Sequence, residues 1–418
     1  MTKHTLDAVE TAVPATRLTT PAATAARQRV ASVDILRGIV MVLMAIDHVR
    51  VFSGLPAGGP APGIFFTRWI THFCAPWFIF LAGTSAFLRG EKLADKKALS
   101  RYLALRGLGL VLLELTLLRF AWTFNFDYAH YLLAGVIWAI GWCMVLMAGL
   151  IWLPPRVAGI IGVVIIVAHN FVDPFRAQLT PILRASPLAW IWQILYFGGG
   201  IELGGEGGPV LAVLYSIIPW IGVMAAGYWF GCLLKAEPRR KDRICYLIGA
   251  AAVVVFLILR TWNLYGDPNH WGPGRLPPVL SFLSTTKYPA SLQFLLMTLG
   301  PALLLVPLLE RLRGPAASVL TVFGRVPFFY YVLHIPLIHA AAIVVSLIRT
   351  GHVEPWLFAN HPMLNPPAPP GYTWTRGLLY LVWAIVMVIL YFACQWYVRA
   401  RRRSPKIAAT QELHPASN

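Results

Sequence analysis

The chain has 418 residues, of which 58% are hydrophobic and only 12% charged, and its net charge is +18. Repeated apolar runs of 18 residues and more exclude a soluble globular protein. Basic residues placed between those runs report orientation across a bilayer, not a nucleic-acid partner. The five cysteines lie singly inside apolar stretches, which argues against a disulfide framework or a Cys-ligated zinc site.

Residues 1–31 are rich in Ala and Thr and lack the apolar core of a cleavable signal peptide, so they read as a disordered cytoplasmic arm. From there the expected fold class is all-α. Residues 32–400 read as a polytopic integral membrane domain of about ten transmembrane helices, and 401–418 as a cytoplasmic tail. The apolar runs place the spans near 33–54, 64–88, 106–122, 130–153, 156–172, 209–234, 244–262, 288–309, 318–347 and 374–398. The basic segments (Arg17, Arg27 and Arg29, then RGEKLADKKALSRYLALR, KAEPRRKDR, ERLRG and RARRRSPK) share one side if spans alternate, which puts both termini in the cytoplasm. Two outer loops, DPFRAQLTPILRASPLAWIWQILYFGGGIELGGEGG and YGDPNHWGPGRLPPVLSFLSTTK, are long and rich in Gly, Pro and Trp. They read either as lids and binding surfaces or as interfacial belts anchored by Trp190, Trp192 and Trp271. No internal repeat or matched pair of broken spans points to an inverted-repeat transporter.

The first span, SVDILRGIVMVLMAIDHVRVF, carries Asp34, Arg37, Asp47, His48 and Arg50. A charge near the bilayer centre costs roughly 2.5–3.5 kcal/mol, so such groups point to function by default. Arg37 and His48 are eleven residues apart, which places them about 20° apart around a helix and roughly 16 Å apart along it. They share one stripe running from the cytoplasmic surface to the outer half. The second span brings Arg68 and His72 to one face, and His72 to a depth close to that of His48. The ninth span brings His334 and His339 to nearly the same level, and Glu114, Arg119 and His169 add ionisable groups nearby.

Several of these residues have a second reading. Asp34 suits a helix-start cap, and Arg50 and Arg68 suit snorkelling to the outer interface. Lys287 in TTKYPAS is either an interfacial anchor, an acceptor contact or a counter-charge for Asp47. Asn125 and Asp127 in TFNFDY suit a turn as well as the hydroxyls of a sugar. His334 and His339 lie five apart, about 140° around a helix, whereas two ligands from one helix normally sit at i, i+4, so no metal is expected. The chain has no P-loop, dinucleotide fingerprint or GxSxG elbow. An imidazole titrates near working pH and is suited to take a proton from a hydroxyl or amine. The reaction class that best matches an Arg-to-His stripe is acyl transfer across the membrane, with the phosphates of an acyl-CoA at Arg37 and the acceptor near His48.

RxxSVDILRGIVMVLMAIDHVRVF followed by THFCAPWFIFLAGTSAFL resembles the opening of bacterial membrane proteins related to heparan-α-glucosaminide N-acetyltransferase. RFAWTFNFDY, IIPWIGVMAAGYWFG, TTKYPASLQFLLMTLGPALLL and FGRVPFFYYVLHIPLIH are similar to the same group, so the likeness runs from about residue 29 to 400. The opening also resembles the wider membrane acyltransferase superfamily, including its polysaccharide O-acetylating branch, in an Arg followed eleven residues later by a His. Arg37 and His48 fit that pattern. The resemblance implies ten or eleven helices, acetyl-CoA used from the cytoplasmic side, and a sugar or glycan acceptor on the far side, here of a bacterial inner membrane. The stretch leading into the second span, GLPAGGPAPGIFFTRW, lacks the histidine that the lysosomal enzyme carries there, so its role falls to His48 or His72.

The expected catalytic set is therefore His48 as general base or transient acyl carrier, Asp47 to orient an imidazole, and His72 and His334 to complete the polar layer. Arg37 and Arg325 are expected to bind the donor, and Arg68, Asn125, Asp127, Lys287 and His339 the acceptor. The runner-up is a proton-coupled transporter or flippase that uses the same histidines as a relay, and oligomerisation stays open.

Overall fold

Backbone N–H and C=O groups cannot stay unpaired in hydrocarbon, so a chain of this hydropathy is helical wherever it crosses a membrane. The structure is a computed structural model and describes residues 21–403. Helix α1 spans Pro21–Phe52, and residues 1–20 and 404–418 of the expected arm and tail lie outside the described residues. Helices α2 (Pro62–Trp69) and α3 (Cys74–Leu93) form one rod through a 3-10 turn at Ile70–Phe73. Helices α4 (Lys96–Leu113) and α5 (Arg119–Thr123) form another through a π turn at Glu114–Leu118. Strand β1 (Tyr131–Ala134) leads into α6 (Val136–Leu150) and α7 (Pro155–Ala168). Short helices α8 (Arg176–Arg184) and α9 (Ala189–Trp192) and strands β2 (Gly199–Glu202) and β3 (Val210–Val213) fill the next loop. Helices α10 (Ile218–Leu233), α11 (Pro238–Thr261), α12 (Pro278–Leu283), α13 (Leu292–Arg311), α14 (Pro315–Arg325), α15 (Pro327–Thr350) and α16 (Arg376–Arg403) complete the order.

Among the described residues, six helical stretches are long and apolar enough to cross a membrane: Pro62–Leu93, Pro155–Leu183, Pro238–Thr261, Leu292–Arg311, Pro327–Thr350 and Arg376–Arg401. Val136–Leu150 and Ile218–Leu233 are apolar but shorter. Three expectations need correction. The fold is mostly helical but not all-α, because a three-stranded sheet pairs β1 parallel and β2 antiparallel to β3, with Tyr131 opposite Val210. The apolar runs at 130–153 and 209–234 therefore begin as strands. The run at 318–347 is two helices, broken at Val326 because Pro327 disfavours the helical conformation in the residue before it and starts a new helix itself.

Helix α10 packs along α3 and α7, α4 along α6, α11 along α13, and α1 along α14 and α15. Glycine lets the backbones touch where α3 crosses α10: a Cβ on Gly83 would lie 1.9 Å from the Met224 carbonyl oxygen, and one on Gly227 2.0 Å from that of Phe80. Gly227→Ala is therefore expected to destabilise the fold by about 1–3 kcal/mol or more, read as a fall in the detergent unfolding midpoint. An unchanged midpoint would show that the crossing has slack.

The basic loops gather at one end, where Lys96 donates to the Trp152 carbonyl, Lys235 pairs with Glu91 and Lys241 with Glu310. The sheet and the long loops occupy the other. In the segment between α15 and α16, the buried His361 donates from Nε2 to the Trp356 carbonyl at 3.0 Å and packs against Phe52. Burial pushes its pKa down to about 4 from the ordinary 6.5. The folded state thus favours neutral imidazole, and this contribution is full above about pH 6.5 and lost as pH falls towards 4. Hydrogen-exchange protection factors in residues 351–375, corrected for the intrinsic rate at each pH, are expected to fall across that window in wild type and to stay flatter in His361→Phe.

Candidate active site

Two glycines bring α14 onto the start of the polar stripe. A Cβ on Gly38 would meet the Leu320 carbonyl oxygen at 2.0 Å, and one on Gly324 would meet that of Asp34 at 1.8 Å. The close crossing lets Arg37 reach three partners: Asp34 Oδ1 at 3.0 Å, the Gly324 carbonyl at 3.3 Å and Ser85 Oγ at 3.0 Å. Held this way, the Arg37 guanidinium lines a cavity of about 330 Å³ between α3, α4, α6 and α15. Arg89 and Arg106 line the same cavity, and their guanidinium carbons lie 4.4 and 5.9 Å from the centroid of the Tyr102 ring. These three residues escaped the sequence reading, although Ser85 with Arg89 and Tyr102 with Arg106 are i, i+4 pairs on single helix faces. Arg325 is exposed at the end of α14, beside Asp34, and does not line the cavity.

The deep end of this cavity is formed partly by Tyr331, whose ring lies edge-on to His334 at 5.0 Å. The Tyr330 hydroxyl donates to the Met41 carbonyl at 2.8 Å and fixes α15 against α1. One turn further on, His334 meets His48, with His48 Nδ1 2.7 Å from His334 Nε2. The hydrogen bonds define the tautomers. His334 Nδ1 lies 2.6 Å from the Tyr331 carbonyl and 3.2 Å from that of Tyr330, so it carries a proton and donates. In the neutral pair His334 Nε2 then accepts from His48 Nδ1–H, and the lone pair of His48 is left on Nε2. Trp122 of α5 packs edge-on against the His48 ring at 4.9 Å, another neighbour the sequence reading missed.

Asp47 does not orient an imidazole, as had been expected. Its two carboxylate oxygens accept from Arg50 Nε at 2.8 Å and Arg68 Nη1 at 2.6 Å. Neighbouring residues on a helix point about 100° apart, so Asp47 and His48 face different partners. Arg50 and Arg68 accordingly stay in the protein and do not snorkel. Lys287 is buried, its ammonium 5.7 and 5.2 Å from the Tyr215 and Tyr288 ring centroids. It is close enough to act on Asp47 electrostatically.

His72 does not meet His48. It packs edge-on to Phe294 at 5.6 Å and, with Phe65, Arg68, Trp69 and Ser284, lines a second cavity of about 300 Å³ towards the sheet end. His339 sits apart from His334, stacked between Phe124 at 3.9 Å and Phe52 at 4.5 Å. Asn125 donates to the Phe358 carbonyl, and the Asp127 carboxylate contacts His130, so both side chains are engaged in holding the turn after α5. Glu114 and Arg119 do not pair either. Glu114 accepts from the Ile137 and Trp138 N–H groups at the start of α6, and Arg119 donates to the carbonyls of Tyr131, Asn125 and Asp127. His169 faces the carbonyls of Ile165 and Ala290.

The assembled site has an arginine-flanked cavity at the basic end, a histidine pair beyond it with one basic nitrogen that has no hydrogen-bond partner among the described residues, and a second cavity towards the opposite end. A family model described as heparan-alpha-glucosaminide N-acetyltransferase, catalytic, matches residues 29–264, more than half of the chain. The matched segment contains Arg37, His48, Arg68, Arg89 and Arg106, whereas His334 lies beyond it. Among curated proteins no match was found.

Proposed function

Because the chain belongs to the heparan-alpha-glucosaminide N-acetyltransferase catalytic family, we propose that this transmembrane acetyltransferase takes its acetyl group from cytoplasmic acetyl-CoA and delivers it to an amine or hydroxyl of an extracytoplasmic glycan or sugar-containing acceptor. Ten helical rods (α1, α2–α3, α4–α5, α6, α7, α10, α11, α13, α15 and α16) cross a bacterial inner membrane, with the basic end and both termini in the cytoplasm. The positive-inside rule supports that orientation.

The observation that carries the reading is the His48–His334 pair, whose hydrogen bonds leave His48 Nε2 as the free base. Arg37, Arg89 and Arg106 suit the phosphates of the donor, since guanidinium binds phosphate through paired, charge-assisted hydrogen bonds. The apolar part of the cavity suits the pantetheine arm and leads the thioester towards His334 and His48. The acceptor enters from the cavity lined by Arg68 and His72. His48 Nε2 takes the proton of the attacking amine or hydroxyl, the acetyl carbon–sulfur bond breaks as the new bond forms, and the proton passes to the departing thiolate. His334, anchored on the carbonyl of Tyr331, holds the imidazole in the required tautomer.

Calorimetry of acetyl-CoA with detergent-purified protein tests the donor half. Micromolar binding is expected in wild type, weakened about 10- to 100-fold in Arg37→Ala by the loss of a charge-assisted hydrogen bond, and nearly unchanged in His48→Ala. No binding by well-folded wild type would overturn the reading.

A further inference from the structure

Helices α10 and α11 are consecutive, yet they do not pack along one another. Helix α10 packs on α3 and α7, and α11 on α13. The gap between the two pairs is a cavity of about 540 Å³, larger than the arginine-flanked donor cavity. Its walls are apolar and reach inward to the buried side chains of Phe80 and Leu303, while Trp229 and Ile248 at its sides are 37% and 51% exposed. Arg156, near the start of α7, and Arg240, near the start of α11, also line it at the basic end of the bundle. Among the described residues neither guanidinium has a hydrogen-bond or ion-pair partner. Neither takes any part in the chemistry derived above.

We propose that this slot is a binding site for one anionic phospholipid, with the phosphodiester between Arg156 and Arg240 and an acyl chain lying along Trp229 and Ile248 towards Leu303. An apolar slot that opens sideways between membrane-facing helices is filled by what surrounds it, and the charge at its mouth selects among the occupants. A second copy of this chain would bring the same basic end opposite the two arginines, so like charges would meet. An anionic headgroup neutralises them, as basic pockets between transmembrane helices do for other acidic lipids. The proposal rests on the membrane reading alone and is independent of the reaction catalysed.

Native mass spectrometry of the full chain, titrated with dioleoylphosphatidylglycerol or dioleoylphosphatidylcholine, tests it. Each arginine near the headgroup contributes about fivefold, so wild type is expected to prefer the anionic lipid on the order of twenty-five-fold. Arg156→Gln with Arg240→Gln is expected to abolish that preference and leave phosphatidylcholine binding unchanged, which also shows that the protein is folded. Arg239→Gln with Arg243→Gln, on the same helix but outside the slot, is expected to keep it. Val163→Trp, which fills the slot and spares both arginines, is expected to lower uptake of both lipids. Equal binding of the two lipids by wild type overturns the proposal. So does an equal loss in the Arg239/Arg243 pair, which would assign the preference to the basic surface as a whole.

Discussion

His48→Ala is expected to lower acetyl transfer about 10³-fold, the middle of the range for a positioned general base, while the protein inserts normally and still binds acetyl-CoA. Of the two unprotonated nitrogens in the pair only Nε2 of His48 keeps its lone pair free, because His334 Nδ1 donates to the Tyr331 carbonyl and His334 Nε2 accepts from His48. His334→Ala removes the group that fixes the tautomer but leaves the base, so its loss is expected to be smaller and to fall on kcat with little change in KM for the donor. Single-turnover measurements in proteoliposomes separate the two variants. An undiminished rate in folded His48→Ala sinks the assignment of His48, and a larger loss in His334→Ala than in His48→Ala would move the base to His334.

The largest effect on stability is expected from Asp47→Ala. One carboxylate holds Arg50 and Arg68, whose side chains are only 10% and 12% exposed. Removing one member of a buried charge network leaves the others uncompensated and typically costs 3–5 kcal/mol. The unfolding midpoint in detergent should therefore fall sharply, and Asp47→Ala combined with Arg68→Leu should recover part of the loss, because it no longer buries that unpaired cation. A variant with an unchanged midpoint but no transfer would instead place Asp47 in the chemistry.

Much of this site follows from helix geometry that a sequence carries. Residue spacing alone puts Arg37 and His48 on one stripe, and helix rise brings His48 and His334 to one level, where they lie 2.7 Å apart. The partner of each polar atom is not carried the same way. Asp47 adjoins His48 in sequence yet faces a different set of neighbours, and His72 has a similar depth to His48 but turns to Phe294. Depth along a helix fixes one coordinate, whereas contact also needs the rotation of each helix, which tertiary packing sets. The basic run from Arg89 to Arg106 signals orientation so strongly that the cavity its two ends line together is hidden. Strands β1 and β3 pair across a long stretch of chain and are four residues each, too short to show an alternating pattern within apolar runs.

The π turn at Glu114–Leu118 gives the α4–α5 rod a counting function. A π turn holds one residue more than the α-helical turn it replaces, so it resets the angular phase of everything after it. Deleting a single residue there would restore regular winding and rotate Arg119 and Trp122 by about 100°, taking one from its carbonyls and the other from the edge of His48. This rod is thus more sensitive to its length than to the identity of its exposed side chains. Apolar substitutions at lipid-facing positions such as the exposed Leu117 can accumulate in it, while an insertion or deletion of one residue cannot.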